Sequence, residues 1–522
     1  MAAEEEVVPK AHPRLVLVVL TAILFLTFLD TTIMSVALED LQATLHTSIS
    51  QLQWIINAYA LLFASLMLAF GVAGDRHGRK KVMLAGAGVF IAGSIFGGVA
   101  QTIPQLIAAR GIMGIGAAAC EPGTLSIIRQ LYPDKRARAR ALGWWAAIAG
   151  LALAMGPVIG GILVGLGGWP AIFWFNVAAG VAVLGSAWVL VPESSDPERG
   201  GRPDYLGFTL GPIALGTIVF AIIIGETAGY TDPLVLALFA IGAVALAVFI
   251  TVEVVVRTPM LDVSYFRRLP FSGSLVVAFA TYFGVFSIFF LTALYLQIVL
   301  GYTAYRTAAL FVPMAVGMIV ASTFAGRWVA LRGPRVPVGL GCLAAGAGVV
   351  LTDVALLGKV SYTPLVLSMF LAGIGFGIAV VPITSVALSS LPARHSGLAA
   401  SATTTAREVG TVLGVAALGS LFSTQLSTYL TQRLTEQGVP DQFQGLIKEY
   451  ILTGKVPPGM EPFIQAAEKA YGPQVDAAKQ AAFDAVHHGV TISLLVAGIV
   501  ILVSGVVAWA TFSPKNMVAE ED

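Results

Sequence analysis

Five ionisable residues stand inside long apolar stretches of this 522-residue chain: Asp30, Arg110, Glu121, Arg407 and Glu408. A charged side chain at the centre of a spanning helix costs about 2.5–3.5 kcal/mol to insert, so it tends to be kept for function. Asp30 lies sixteen residues beyond Arg14, or about 24 Å at 1.5 Å per helical residue. That is too deep for a helix cap and too far from the outer face for plain solvation. A structural carboxylate bonded to Thr27, Thr31 or a neighbouring helix is the alternative. Arg110 and Glu121 are eleven residues apart, close to three helical turns, and so share a face. They point to a wet, inward surface; pairing of Glu121 with loop cations near the inner surface stays open. Arg407 and Glu408 are adjacent and project about 100° apart on a helix. An acid beside a base in lipid is costly unless paired or wet, and a neutralising pair that serves only assembly is the alternative. Tyr59, Tyr282 and Tyr295 are cavity candidates, because a hydroxyl in lipid needs a partner.

The elements that must hold these groups are membrane helices. Hydrophobic residues make up 57% and charged residues 11%, against about 25% charged in soluble domains. Mean hydropathy is +0.85. Fourteen stretches reach the length of a spanning helix: 15–38, 53–73, 82–100, 104–128, 139–166, 170–191, 206–226, 233–256, 271–299, 304–329, 335–357, 363–389, 396–424 and 485–512. The first is read as a retained helix rather than a cleaved signal. With the N-terminus inside, 21 of the 30 Lys and Arg fall on the cytoplasmic side, as the positive-inside rule requires. Both termini are then cytoplasmic. The expected fold is an all-α membrane protein with an N-terminal six-helix half over 1–192. A linker with two additional helices follows over 193–270. The C-terminal six-helix half covers 271–522 and includes a long external segment over about 425–484, with amphipathic pieces. Glu39 and Asp40 are expected to be solvated at the outer end. Trp54 reads as an interfacial anchor, Asp353 as half exposed, and His487 and His488 as surface residues. Cys120 and Cys342 sit in apolar runs, which argues against a disulfide. A net charge of +1 gives nothing to hold nucleic acid.

Between the second and third stretches runs GVAGDRHGRKKVM. Gly71 and Gly78 allow a tight connection, and Asp75 can accept from a helix start or pair with a cation. Arg76 and Arg79 are held on the inside. A weaker copy, GRWVALRGPR, repeats the seven-residue spacing at Gly326 and Gly333, with Ala330 in place of the acid. The repeat suggests two homologous halves with a site between them. In GLALAMGPVIGG, Gly156 and Gly160 are four apart, as are Gly161 and Gly165. Such spacing lets helices approach closely, and Pro157 bends the helix. Together with Gly150 this stretch is expected to be conformational rather than chemical.

The loop resembles the GxLADRxGRK signature of the major facilitator superfamily, departing from it at Ala73 and Gly74. With LDTTIMSVAL, LIAARGIMGIGAA, GLALAMGPVIGG and the run from Arg407 to Ala416, nearly the whole chain resembles the fourteen-span drug:proton antiporter branch, DHA2. Ser35 stands where Asn is usual and Glu39 where Pro is usual. The resemblance implies proton coupling through Asp30 and Glu408, proton transfer through Arg110, and a cytoplasmic gate at Asp75 with Arg129 as its partner. Glu121 joins this set as a further buried acid. It implies export of bulky amphipathic compounds, cationic ones among them, across a bacterial inner membrane. No cofactor is implied, the proton gradient being the energy source, and the chain is expected to act as a monomer in the lipid bilayer. An importer or dedicated-metabolite exporter, and a receptor or enzyme, are the other classes. The chain has no HExxH, GxSxG or phosphate loop to favour an enzyme.

Overall fold

The computed structural model describes residues 12–195, 205–256, 263–356, 362–391, 396–437, 444 and 472–513. Its elements are helical. They are α1 (Pro13–Ile33), α2 (Leu38–Leu45), α3 (Ile49–His77), α4 (Arg79–Gly98), α5 (Ile103–Leu131), α6 (Lys135–Gly167), α7 (Pro170–Leu190), α8 (Tyr205–Ala228) and α9 (Pro233–Val255), then α10 (Leu269–Leu294), α11 (Ala304–Arg332), α12 (Arg335–Leu356), α13 (Tyr362–Ser389), α14 (Ser396–Glu436) and α15 (Gly472–Thr511). A π turn, Tyr295–Val299, ends α10. Among the described residues twelve helices are long and apolar enough to cross a membrane, or thirteen with α3, which bends by 47° between Met67 and Ala69. Helix α8 runs over 24 residues, and its apolar part among the described residues is Thr209–Gly225.

Helix starts follow the local chemistry. Ser48 Oγ accepts from Gln51 N–H at 3.3 Å, and Gln51 Oε1 accepts from Ser48 N–H at 2.9 Å, the reciprocal pair that satisfies two orphan donors. Asp134 and Asp232 cap α6 and α9 through Ala137 N–H and Leu234 N–H, each at 2.8 Å. In membrane the backbone must satisfy itself, so these caps stand where chain direction reverses.

The two glycine pairs of α6 face different neighbours. A Cβ at Gly160 would sit 2.6 Å from the Ile33 carbonyl of α1, and Gly156 packs on Thr32 of the same helix. Thr32 Oγ1 donates to the Leu153 carbonyl across that contact at 3.0 Å. A Cβ at Gly161 would sit 2.8 Å from the Ala304 carbonyl of α11, and Gly165 packs on Tyr305. Gly150 lies farther along the same seam, near Ser322 of α11. The second seam between the halves joins α3 to α14, and α8 lies over it. There Trp54 stacks near Phe220, centroids 5.3 Å apart, rather than standing alone at the interface. Tyr230 and Ser420 share a hydrogen bond, and Ala60, Val219, Ile223, Val412 and Ala416 form a small core of their own. The exposed apolar side chains of α9, such as Val244, Val254 and Val255, face outward.

The structure corrects several expectations. Asp40 is not simply solvated: its Oδ2 accepts from Trp169 N–H at 2.6 Å, pinning α2 to the α6–α7 turn. Glu39 is half-buried; burial, then the neighbouring Asp40 charge, pushes its carboxyl above the usual range. Asp353 is buried rather than half exposed. His488 stacks on Tyr429, centroids 4.5 Å apart, so it too is no simple surface residue. Helix α14 continues to Glu436, burying Leu426, Leu430 and Leu434, well into the expected external segment. Of the rest of that segment, 472–484 begins α15, while 438–443 and 445–471 lie outside the described residues.

Replacing Gly160 by Val should destabilise the protein by about 1–3 kcal/mol through overpacking. A thermal melt in detergent should fall accordingly. Gly88→Ala, where a Cβ meets nothing within 4 Å, should leave the melt unchanged.

Candidate functional site

Asp30 sits in the last third of α1, wholly buried. Its Oδ2 accepts from Arg110 Nη1 of α5, and its Oδ1 accepts from Asn176 Nδ2 of α7 at 2.5 Å. Thr27 and Thr31 turn instead to backbone carbonyls of their own helix. Arg110 Nε donates to the Ile55 carbonyl of α3 at 3.1 Å. Its guanidinium lies over the Tyr59 ring, 4.4 Å from the centroid, and Tyr59 Oη donates to the Thr27 carbonyl at 2.8 Å. Four helices are thus tied at one point. Gly114, one turn beyond Arg110, packs on the Tyr59 backbone, which brings α5 close enough to α3 for that geometry.

Glu121 is equally buried, and neither carboxylate oxygen has a hydrogen-bond partner. It lies within electrostatic reach of Arg407 and Glu408 of α14. Arg407 Nη2 donates to Thr384 Oγ1 and, at 3.3 Å, to the Val380 carbonyl of α13. Its guanidinium faces the Tyr282 ring at 5.3 Å. Arg407 Nε and Nη1 and Glu408 Oε2 have no hydrogen-bond partner. A few unpaired polar atoms are tolerated in native folds, but each one needs a reason. Here acids from α5 and α14 lie within electrostatic reach of each other. Tyr59 lies within electrostatic reach of Asp30, Arg110, Glu121 and Glu408. Tyr295 stands apart from both, against His487 of α15.

At the opposite end of the bundle from α2, Asp75 Oδ1 pairs with Arg79 at 2.8 Å. Arg76 is exposed, Gly71 packs on Pro122, and Arg129 stands in the last turn of α5. Glu193, just after α7, accepts from Lys80 N–H at 3.1 Å, and Arg79 N–H donates to the Ser194 carbonyl at 2.9 Å. Gly78 has φ +107°, which favours glycine, and the Glu193 carboxylate packs close to it.

Residues 20–415 match the family model described as Major Facilitator Superfamily. The chain belongs to that superfamily. It is 33% identical over 422 residues to "Multidrug resistance protein Stp" of Mycobacterium tuberculosis, covering 81% of this chain and 78% of that one. It is 34% identical over 418 residues to "Methylenomycin A resistance protein" of Bacillus subtilis, covering 79% and 88%. Among solved structures, a bacterial homologue of the human lysosomal transporter Spinster, inward-facing and unoccupied, superposes with a TM-score of 0.63 at 18% identity, covering 97% and 100%. A D-xylose–proton symporter gives 0.59 at 15% identity, covering 96% and 98%; both show the fold alone. The family and fold make this a multi-pass membrane transporter and not an enzyme.

Asn176 and Glu193 are functional-site neighbours that sequence reasoning missed. Asn176 is a lone polar residue in the apolar run of α7, which is a readable signal; nothing in the sequence near Glu193 marks it as the partner of Gly78.

Asp30→Asn leaves the Arg110 charge buried without its partner, a loss of about 3–5 kcal/mol. Arg110→Met alone should cost a similar amount, and the double variant should recover part of it. A double-mutant cycle on thermal stability measures that coupling.

Proposed function

We propose that this transporter exports bulky amphipathic compounds by alternating access, in exchange for protons. The observation that carries this reading is that Glu121, Arg407 and Glu408 are all buried with unpartnered polar atoms, Glu121 lying within electrostatic reach of the other two. A carboxylate in low dielectric disfavours its charged form, so a proton and a cationic compound compete for it. That competition is sufficient to couple two fluxes. Asp30 holds Arg110 while ionised; protonating Asp30 would free the guanidinium, giving a local switch beside the central acids. Relatives named for multidrug and antibiotic resistance support drug export. On this reading the Asp75 end faces the cytoplasm and the chain works in a bacterial inner membrane.

A dedicated substrate is the second reading. It is favoured by relatives named "Probable actinorhodin transporter" and "Tetracenomycin C resistance and export protein", each named for a single compound.

In everted vesicles, an acid interior should drive uptake of a lipophilic cationic dye by the unmodified protein. Glu408→Gln at matched expression should reduce that uptake at least about tenfold, the equivalent of about 1.4 kcal/mol. Unchanged uptake in both Asp30→Asn and Glu408→Gln would remove the coupling role from these acids. Uptake of only one chemical class would favour the dedicated exporter.

A further inference from the structure

Away from the central cluster, α12, α15 and the end of α10 bring titratable groups together. Asp353 of α12 is 2% exposed, and its Oδ1 has no hydrogen-bond partner. His487 of α15 lies within electrostatic reach of that carboxylate, and Thr491, one turn on, faces it as well. The His487 Nε2 is buried and unpartnered. The imidazole packs on the Tyr295 ring, centroids 5.7 Å apart. Tyr295 opens the π turn that ends α10, and single π turns occur often at functional sites.

That same turn carries Gln297. Its Oε1 accepts from Glu39 N–H at 3.0 Å, and its Nε2 donates to the Ser35 carbonyl at 3.4 Å. These bonds cross between the halves and help hold the α2 end shut. One turn of backbone therefore touches the titratable pair on one side and the closing contact on the other.

We propose that Asp353 and His487 form a second proton-binding site, whose occupancy controls closure of the α2 end through the π turn. With one proton held on either group, carboxylate and imidazole together carry no net charge. Loss of that proton leaves a buried negative charge, which is costly. The closed end thus favours the occupied pair, and the vacated pair favours opening to water. Tyr295 is the titratable group that α10 turns toward Asp353. From α13, Ser368 accepts from Thr352 at 3.1 Å. On α15, His488 turns to Tyr429 of α14, and Asp484 accepts from Gln480 at 3.0 Å. Before α11, Tyr302 lies under Arg306. The proposal rests on the alternating-access reading, but its readout is a distance that needs no substrate, so either can fail alone.

The test uses the full chain in lipid nanodiscs with spin labels at Ala43→Cys and Arg306→Cys, both exposed positions flanking the seam. Cys120 and Cys342, both buried, are replaced by Ala. Pulsed EPR distances are recorded across the range of about pH 5 to 9, spanning the ordinary titrations of carboxylate and imidazole. The short-distance population should grow as pH falls. Asp353→Asn should hold the short distance throughout, and His487→Gln should move the midpoint by about one pH unit, a tenfold change in proton affinity. An unmodified reporter without pH dependence overturns the proposal. So do variants that keep its midpoint while Glu408→Gln abolishes the dependence. Should Asp353→Asn fail to fold, His487→Gln decides alone.

Discussion

A buried Asp30–Arg110 ion pair is the constraint around which the first six membrane helices are arranged. Neither charge can be placed in apolar surroundings alone, and each has remaining valences to fill. Asn176 fills one on the carboxylate, and the Ile55 carbonyl and the Tyr59 ring take up the guanidinium. Helices α1, α3, α5 and α7 must therefore meet at one depth and in one rotation. The glycines then set how close they come. Gly114 admits the Tyr59 backbone, and Gly156 and Gly160 admit α1. Buried ion pairs are poor sources of net stability, so this one is better understood as fixing geometry than as holding the fold together.

Among its described residues the second half shows no equivalent closed pair. Arg407 bonds to α13 and leaves two nitrogens unpartnered, while Glu408 and Glu121 keep unpartnered oxygens. Both Asp30 carboxylate oxygens are hydrogen-bonded, whereas Glu121 and Glu408 are not fully partnered.

Much of this was legible in the sequence because the bilayer enforces a simple code. Long apolar runs marked the helices, and a charge within a run marked the site. The four-residue glycine spacing in α6 gave two packing faces, and the structure assigns one to α1 and the other to α11. Pairings were not legible. Arg110 and Glu121 share a helix and are both buried, yet one turns to α1 and the other meets α14, since partner choice depends on how whole helices are placed. Asp353, His487 and Asp40 read as exposed because helix ends look solvated when the chain that covers them is distant in sequence. The length of α14 was hidden for a related reason: its last turns carry Thr, Gln and Arg beside a buried Leu stripe, a mixed pattern that resembles a surface segment.

The α8–α9 hairpin makes the two flanks of the molecule unequal. A protein of two related halves would meet its surroundings alike along both seams. Here α8 lies over the α3–α14 seam with its own small core, while the α6–α11 seam has no such cover from the hairpin. Relative movement of the halves must shear protein against protein on one flank and displace acyl chains on the other. The stiffness and thickness of the bilayer then act on this transporter asymmetrically, as a load applied to one side of a hinge.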